Sequence, residues 1–308
     1  MKKVLILMAT YNGAKYLDEQ IQSLIEQKNV QVDILVRDDG STDNTIEVLN
    51  KWKEQNKLEW YKGKHLNVQF GFYDLMERAR TRDVDYLAFC DQDDVWDLDK
   101  LCIAVEKLEK LCNKSMPALY YCGQRLVDEN MKFIADHKLN KYRNLRTRFV
   151  LSDIAGCTAV FNKALLYKVL EYKPTYMLMH DTWVLKVCLA VGGNVIVDPE
   201  PHMNYRQHGN NTVGLGKGIK SNLKQVRQYI EEYKVISIVG SNIDEFVDNK
   251  EHIIGKRIVP EYKKLVYYIC NYKKNIKYRK KLLNKHYINF CNKGLNLTYF
   301  IKIMLNKL

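Results

Sequence analysis

Residues 90–96 read Cys-Asp-Gln-Asp-Asp-Val-Trp, which sets Asp91, Asp93 and Asp94 within four consecutive positions. Three carboxylates this close repel one another unless something positive sits among them. Carboxylate oxygens are hard ligands that suit Mg2+ or Mn2+. Mg2+ typically takes one or two protein carboxylates and completes its shell with phosphate oxygens and water. An Asp-x-Asp therefore carries the donors for a metal–diphosphate site. An acidic cluster can also be a solvated turn or a set of helix caps. Position favours the metal here, because the cluster ends the apolar run Asp-Tyr-Leu-Ala-Phe-Cys, which has the pattern of a buried strand.

Two more polar turns follow apolar runs. Asp38 and Asp39, in Arg-Asp-Asp-Gly-Ser, follow Val-Asp-Ile-Leu-Val, and Thr10-Tyr11-Asn12-Gly13 follows Lys-Val-Leu-Ile-Leu-Met-Ala. Helical patterns separate them. Leu17, Ile21, Leu24 and Ile25 share one helical face, as do Ile46, Leu49 and Trp52 in a second segment for which Ser41, Thr42 and Asp43 are suitable N-caps. Strands alternating with helices predict an α/β fold, with a parallel sheet covered on both faces. Ligands bind such sheets outside the carboxyl ends of the strands. The three polar turns should therefore meet along one rim.

Further along, a helix is predicted over 98–111, a strand over 118–127 and a strand followed by a helix over 157–170. A helix opened by Asp181 and closed by Gly192-Gly193 precedes a strand over 194–199. Residues 204–218 read as a glycine- and asparagine-rich loop. In it, His208 is a candidate for metal or diphosphate, with a backbone-bonded loop histidine the alternative. Arg206 is a candidate diphosphate contact, or the partner of a structural carboxylate. Trp96 is a candidate sugar-stacking residue, whereas Trp183, on an apolar helix face, reads as core. Gly-Leu-Gly-Lys-Gly at 214–218 lacks the spacing and the Ser or Thr of a P-loop. No Gly-x-Gly-x-x-Gly follows the first strand.

The chain has 308 residues, 46% of them hydrophobic, enough for one large domain or two smaller ones. No apolar run approaches 18 residues, and the short run after Met-Lys-Lys leads into a turn rather than a cleavage site. The eight cysteines form no Cys-x-x-Cys pair, so they read as reduced thiols of a cytoplasmic protein. The net charge of +13 is uneven. Residues 218–308 hold 19 Lys and Arg against 7 Asp and Glu, and no acidic residue follows Glu261. We divide the chain near residue 217, into a body over 1–217 and a basic, mainly helical region over 218–308. That region calls for an anionic surface, either membrane or polyanion. Its interleaved tyrosines fit interfacial helices, and no nucleic-acid-binding motif accompanies them, so nucleic acid is not the expected partner.

The segments Ala-Thr-Tyr-Asn-Gly, Arg-Asp-Asp-Gly-Ser-Thr-Asp-Asn-Thr and Asp-Gln-Asp-Asp, in this order and spacing over roughly residues 3–215, resemble family 2 glycosyltransferases. With His-Asp-Thr-Trp and Tyr-Arg-Gln-His-Gly-Asn-Asn they are most similar to a bacterial rhamnosyltransferase-like branch. The resemblance implies a GT-A fold, a nucleotide-binding mixed, mostly parallel sheet flanked by helices, here with a basic helical C-terminal extension. It implies that Thr10, Tyr11, Asp38 and Asp39 lie along the nucleoside, with Asp91 nearer the ribose. Asp93 is then the direct metal ligand, with Asp91 and His208 beside it, and Asp94 and Arg206 complete the nucleotide-sugar site. Asp181 takes the place of the catalytic base of inverting members. His180 precedes it where Glu is more usual.

The implied cofactor is a divalent metal, Mn2+ or Mg2+. The implied donor is a pyrimidine nucleoside diphosphate sugar, dTDP-L-rhamnose first and a UDP-hexose second, and the acceptor is a glycan or lipid-linked glycan. Lipid-linked acceptors imply work in the cytoplasm, peripheral at the inner face of the membrane, in surface polysaccharide synthesis. The Gln-x-x-Arg-Trp of processive synthases is absent, which implies one sugar per encounter. A sugar nucleotidylyltransferase is the rival enzyme, but Ala-Thr-Tyr-Asn-Gly-Ala-Lys-Tyr lacks that class's glycine-rich loop. A basic nucleic-acid-binding protein is the non-enzymatic rival.

Overall fold

The computed structural model describes residues 1–64, 66–111, 115–171, 173–174, 177, 179–209 and 259–306. A mixed sheet of nine strands runs in the order β3-β2-β1-β4-β8-β6-β9-β5, with β7 paired to β6. Its parallel half holds β1 (Lys2–Thr10), β2 (Val30–Asp38), β3 (Glu59–Lys62) and β4 (Tyr86–Cys90). The other half holds β5 (Val95–Trp96), β6 (Ala118–Val127), β7 (Phe133–His137), β8 (Val160–Asn162) and β9 (Asn194–Arg206). β6 and β9 pair in parallel, while β8 runs antiparallel between β4 and β6.

Strand alternation builds a core on each face. On β1, Val4, Ile6 and Met8 face one layer, with helices α1 (Ala14–Ile25), α2 (Thr45–Glu54) and α4 (Lys100–Leu111). Leu5 and Leu7 face the other, with α3 (Val68–Ala79), α5 (Leu145–Val150), α6 (Lys163–Leu170) and α7 (His180–Ala190). The predicted two-sided α/β sheet is therefore present.

β5, β7 and α5 are too short for periodicity to find. β9 is longer than predicted. It continues to Arg206 because residues 204–206 pair with Arg125–Val127 of β6, so Arg206 ends a strand rather than sitting in a loop. α2 begins at Thr45 with Asn44 at its N-cap, and Asp43 caps from outside by accepting the Thr45 N–H at 3.0 Å.

The boundary drawn at 217/218 lies outside the described residues. Beyond it, α8 (Pro260–Asn271), α9 (Ile276–Leu282) and α10 (Lys293–Met304) share the body's core. The Val259 N–H donates to the Ala190 carbonyl at the end of α7 (2.9 Å), and Tyr262 packs on Phe149, ring centroids 5.0 Å apart. Among the described residues, no helix is long and apolar enough to cross a membrane. Six of the cysteines are free thiols, four of them buried.

Candidate active site

The carboxyl ends of β1, β2 and β4 carry the three polar turns to one rim, because these strands are parallel neighbours. The rim is cross-linked before any ligand binds. Gln92, the middle residue of Asp-x-Asp, accepts from the Thr10 hydroxyl (2.7 Å) and the Tyr11 N–H (2.9 Å) and donates to the Tyr11 carbonyl (3.2 Å). Gly13 makes this approach feasible: a Cβ there would lie 2.2 Å from the Gln92 Oε1. Thr10 is thereby buried, while the Tyr11 ring stays half exposed at the mouth. Asn12, at φ 49°, ties the first turn to the second by accepting the Thr42 N–H and donating its own to Ser41.

At the second turn the two carboxylates differ. Asp38 accepts from the N–H groups of Gly40 (2.9 Å) and Ser41 (3.0 Å) and from the Ser41 hydroxyl, so its carboxylate shapes the turn. Asp39 pairs with the buried guanidinium of Arg37, which also binds Asp74 at 3.1 Å and the Lys64 carbonyl. Gly63 and Gly71 clear space for that guanidinium, since a Cβ on Gly63 would fall 2.4 Å from it. Asp39 is thus held at the rim by Arg37, while Asp38 is taken up by the turn itself.

At the third turn the acidic side chains diverge. Asp93 meets His208, Oδ2 to Nε2 at 2.7 Å, and the imidazole packs on Tyr16. Asp91 and Asp94 turn inward, where their oxygens and the Cys157 sulfur lie within 4.8 Å of one another. The structure brings together Asp93 and His208 of the expected metal set and groups Asp91 with Asp94 instead. Burial, then the charges of Asp93 and Asp181, raises Asp91 to about 7. Burial, then Asp93 and Asp91, pushes Asp94 well above the usual carboxylate range. One Asp94 oxygen accepts the Arg206 N–H; the other is buried with no hydrogen-bond partner among the described residues.

Arg206 takes the structural-carboxylate alternative of its sequence reading, and the reading of Trp96 needs correction. Arg206 is buried, and its guanidinium serves protein groups: the carbonyls of Asp93 (2.8 Å) and Glu129 (2.9 Å) and the carboxylate of Glu19, with Tyr16 stacked beneath it at 4.5 Å. It clamps the acidic turn rather than facing a diphosphate. Trp96 is also buried, because β5 pairs with β9 and turns the indole inward under the Lys100 ammonium. It cannot stack on a sugar.

Asp181 is the second residue of α7 rather than its N-cap, which is Met179. It joins the rim through the 3-10 turn Gly156–Thr158, whose Gly156 N–H bonds to it and whose Cys157 reaches Asp91 and Asp94. Burial raises Asp181 to about 6, against the pull of N–H groups from Thr182 and Gly156. Its neighbour His180 stacks on Phe72 (3.8 Å) and meets Phe89 edge-on (4.7 Å). Burial lowers its pKa to about 3, so the ring is a neutral packing element.

Sequence reading missed Arg37, Gln92, Lys100 and Cys157. Arg37 had a signal, as a cation inside an apolar strand implies a buried anion beside it. Lys100, fully buried, donates to the Cys157 carbonyl at 2.7 Å, and burial lowers its pKa to about 8. Cys157 gave no signal, since a buried thiol looks like any small apolar residue.

Residues 5–170 match the model of the family described as Glycosyl transferase family 2. The chain belongs to that family. Over 268 residues this glycosyltransferase is 30% identical to the dTDP-rhamnosyl transferase RfbG of Shigella flexneri, covering 79% of this chain and 87% of the relative. It is 28% identical over 112 residues to the putative teichuronic acid biosynthesis glycosyltransferase TuaG of Bacillus subtilis, covering 35% and 43% of the two chains. Among solved structures, S. aureus TarS 1–349 in complex with UDP-GlcNAc superposes with a TM-score of 0.58 at 17% identity, covering 100% of this chain and 80% of that one. The mannosyltransferase PcManGT from Pyrobaculum calidifontis, in complex with GDP-Man and Mn2+, gives 0.53 at 15%, covering 99% and 87%. At these identities the structures bear on the fold, which is GT-A.

The donors on the rim of this glycosyltransferase suit a hard divalent cation. Asp93 and His208 offer oxygen and nitrogen at the mouth, and the unpartnered Asp94 oxygen lies behind with Asp91. Among the described residues, no lysine or arginine side chain pairs with Asp91, Asp93 or Asp94, and His208 meets Asp93 alone. Arg206 and Lys100 both contact carbonyls of the surrounding backbone.

Proposed function

We propose that the protein is an inverting, metal-dependent glycosyltransferase that moves L-rhamnose from dTDP-L-rhamnose to a glycan or lipid-linked glycan. The observation that carries this reading is the link between two carboxylate sets: Asp91, Asp93 and Asp94 on one side of the turn Gly156–Thr158, and Asp181 on the other. The 30% identity to a dTDP-rhamnosyl transferase supports this choice of donor.

Asp39 would accept the N3–H of the pyrimidine, while Tyr11 lies along the nucleoside. A divalent cation, Mn2+ or Mg2+, would be held by Asp93 with His208 and Asp91, and when bound it neutralises charge on the departing diphosphate. The acceptor hydroxyl attacks the anomeric carbon from the face opposite the diphosphate. The bond from that carbon to the diphosphate oxygen breaks, and the hydroxyl proton passes to an Asp181 oxygen. A carboxylate raised to about 6 suits this step, being mostly ionised at neutral pH yet a stronger base than an ordinary aspartate.

The test is donor hydrolysis across dTDP-L-rhamnose, UDP-hexoses and GDP-mannose, each with and without Mn2+. Turnover of dTDP-L-rhamnose above the others, abolished by chelation, is expected. Preference for a UDP-hexose overturns the donor, metal-independent turnover overturns the cofactor, and release of nucleoside triphosphate with added pyrophosphate favours a nucleotidylyltransferase.

A further inference from the structure

The last helix is apolar on both faces. Leu295, Tyr299 and Ile303 of α10 pack into the core. On its other side Leu297, Phe300, Ile301, Met304 and the following Leu305 are 45–60% exposed. Their spacing of i, i+3, i+4, i+7 and i+8 makes one continuous stripe. A helix apolar on both faces is ordinarily buried on both, and among the described residues nothing covers this stripe. Scattered surface leucines would need no such explanation.

The charge around the stripe selects the cover. The Arg279 guanidinium donates to Asn306 at 2.7 Å, which fixes α9 beside the end of α10. α9 and its flanks expose Lys277, Lys280, Lys281 and Lys285, none with a carboxylate partner among the described residues. Residues 262–308 contain no acidic residue. A second copy would bring the same positive field against this one, which opposes association. Nucleic acid would match the charge but has no use for an aliphatic stripe, since Leu, Ile and Met do not stack on bases. An anionic bilayer matches both, with acyl chains taking the apolar residues and phosphate headgroups the lysines.

We infer that α10 docks the protein on an anionic lipid surface, its stripe buried in the interface and the lysines of α9 against the headgroups. This does not depend on which sugar is transferred, so the donor assays and the lipid assay fail separately.

The experiment is co-sedimentation of the full chain with vesicles of phosphatidylcholine alone and of phosphatidylcholine mixed equally with phosphatidylglycerol. Binding to the mixed vesicles is expected to exceed binding to the neutral ones. It should fall at least about tenfold between ~0.1 M and ~1 M salt, as the screening length drops from about 10 Å to about 3 Å. The double variant Phe300→Glu, Ile301→Glu should lose at least about tenfold in partitioning, since the stripe can no longer enter the interface. The surface variant Lys277→Gln, Lys280→Gln, Lys285→Gln replaces exposed side chains and should lose most of the salt-sensitive component. Absence of binding by the natural chain, or unchanged partitioning in both variants, overturns the proposal. So does a dimer in sedimentation that Phe300→Glu, Ile301→Glu makes monomeric, which would give the stripe to a second copy.

Discussion

Two acidic turns end the strands on either side of β1, and the protein treats them in opposite ways. After β2, it supplies the compensation itself: Asp38 accepts from the turn's own N–H groups, and Asp39 faces a buried arginine. After β4, among the described residues, no lysine or arginine side chain pairs with the carboxylates, and Asp93 meets only His208. Lys100 and Arg206 both stand close but bind backbone carbonyls, and Asp91 and Asp94 are left with raised affinities for protons. The carboxylates after β4 are the ones an external cation would suit, whereas the β2 turn carries its own arginine.

The comparison can be broken at several points. The largest effect is expected at Asp181, the proposed base across the turn Gly156–Thr158 from the β4 carboxylates. Asp181→Asn should lower turnover by roughly 10²–10⁴ with donor binding retained. In the natural protein kcat should fall as pH drops through about 6, where the carboxylate gains its proton. Turnover near the natural level in Asp181→Asn would move the base elsewhere on the rim.

Removing the cation of the β2 turn comes next. Arg37→Met removes the buried cation beside Asp39, while Asp74 keeps Tyr61 and Arg78, and should cost on the order of 3–5 kcal/mol in urea unfolding. An unchanged midpoint would mean that Asp39 needs no internal cation, and the contrast between the turns would disappear.

At the β4 turn, Asp93→Ala should abolish the Mn2+-enhanced part of nucleoside diphosphate binding, a loss of about 2–3 kcal/mol, without altering thermal unfolding. Calorimetry with and without Mn2+ reads this directly, and identical metal enhancement in the variant would assign the ligand elsewhere.

The smallest effect has the opposite sign. Asp94 binds its proton more tightly in the folded protein than in the unfolded chain. Stability from that proton is fully present below the ordinary value of 3.8 and is lost as pH rises through the raised one. With metal chelated at neutral pH, Asp94→Asn should therefore raise Tm by about 2–4 °C, with the gain vanishing in acid. A lower Tm would mean that the turn is already compensated within the protein.

Most of the parallel half of the sheet was legible, because β1, β2 and β4 are apolar runs ended by polar turns and the helices between them have clear periodicity. The rim position of Asp39 and Asp93 follows from the same logic, whereas Asp181, at the start of a helix, was pointed to by the family resemblance. What was not legible depends on pairing across the chain. Arg206 looks like a loop cation until β9 is seen to pair with β6 as far as its last residue. Trp96 looks available until β5 pairs with β9 and turns it inward. Cys157, on a 3-10 turn far from the acidic residues in sequence, is brought to them only when β8 inserts between β4 and β6. Local pattern predicts which elements form, but long-range pairing decides which side chains remain available.

The Gln92 bridge also has a consequence for how the protein folds. It joins residues 81 and 82 positions apart, across β1 and β4, which pair only after the intervening α/β units have closed a long loop. The nucleotide cleft therefore cannot exist in a partly folded chain, and ligand binds the finished fold alone. A nucleotide at one hundred times its Kd then adds about 2.7 kcal/mol to global stability. Protection from proteolysis by the donor thus reports complete assembly of the parallel half-sheet, and a cell rich in the donor sugar would hold more of the chain in its folded form.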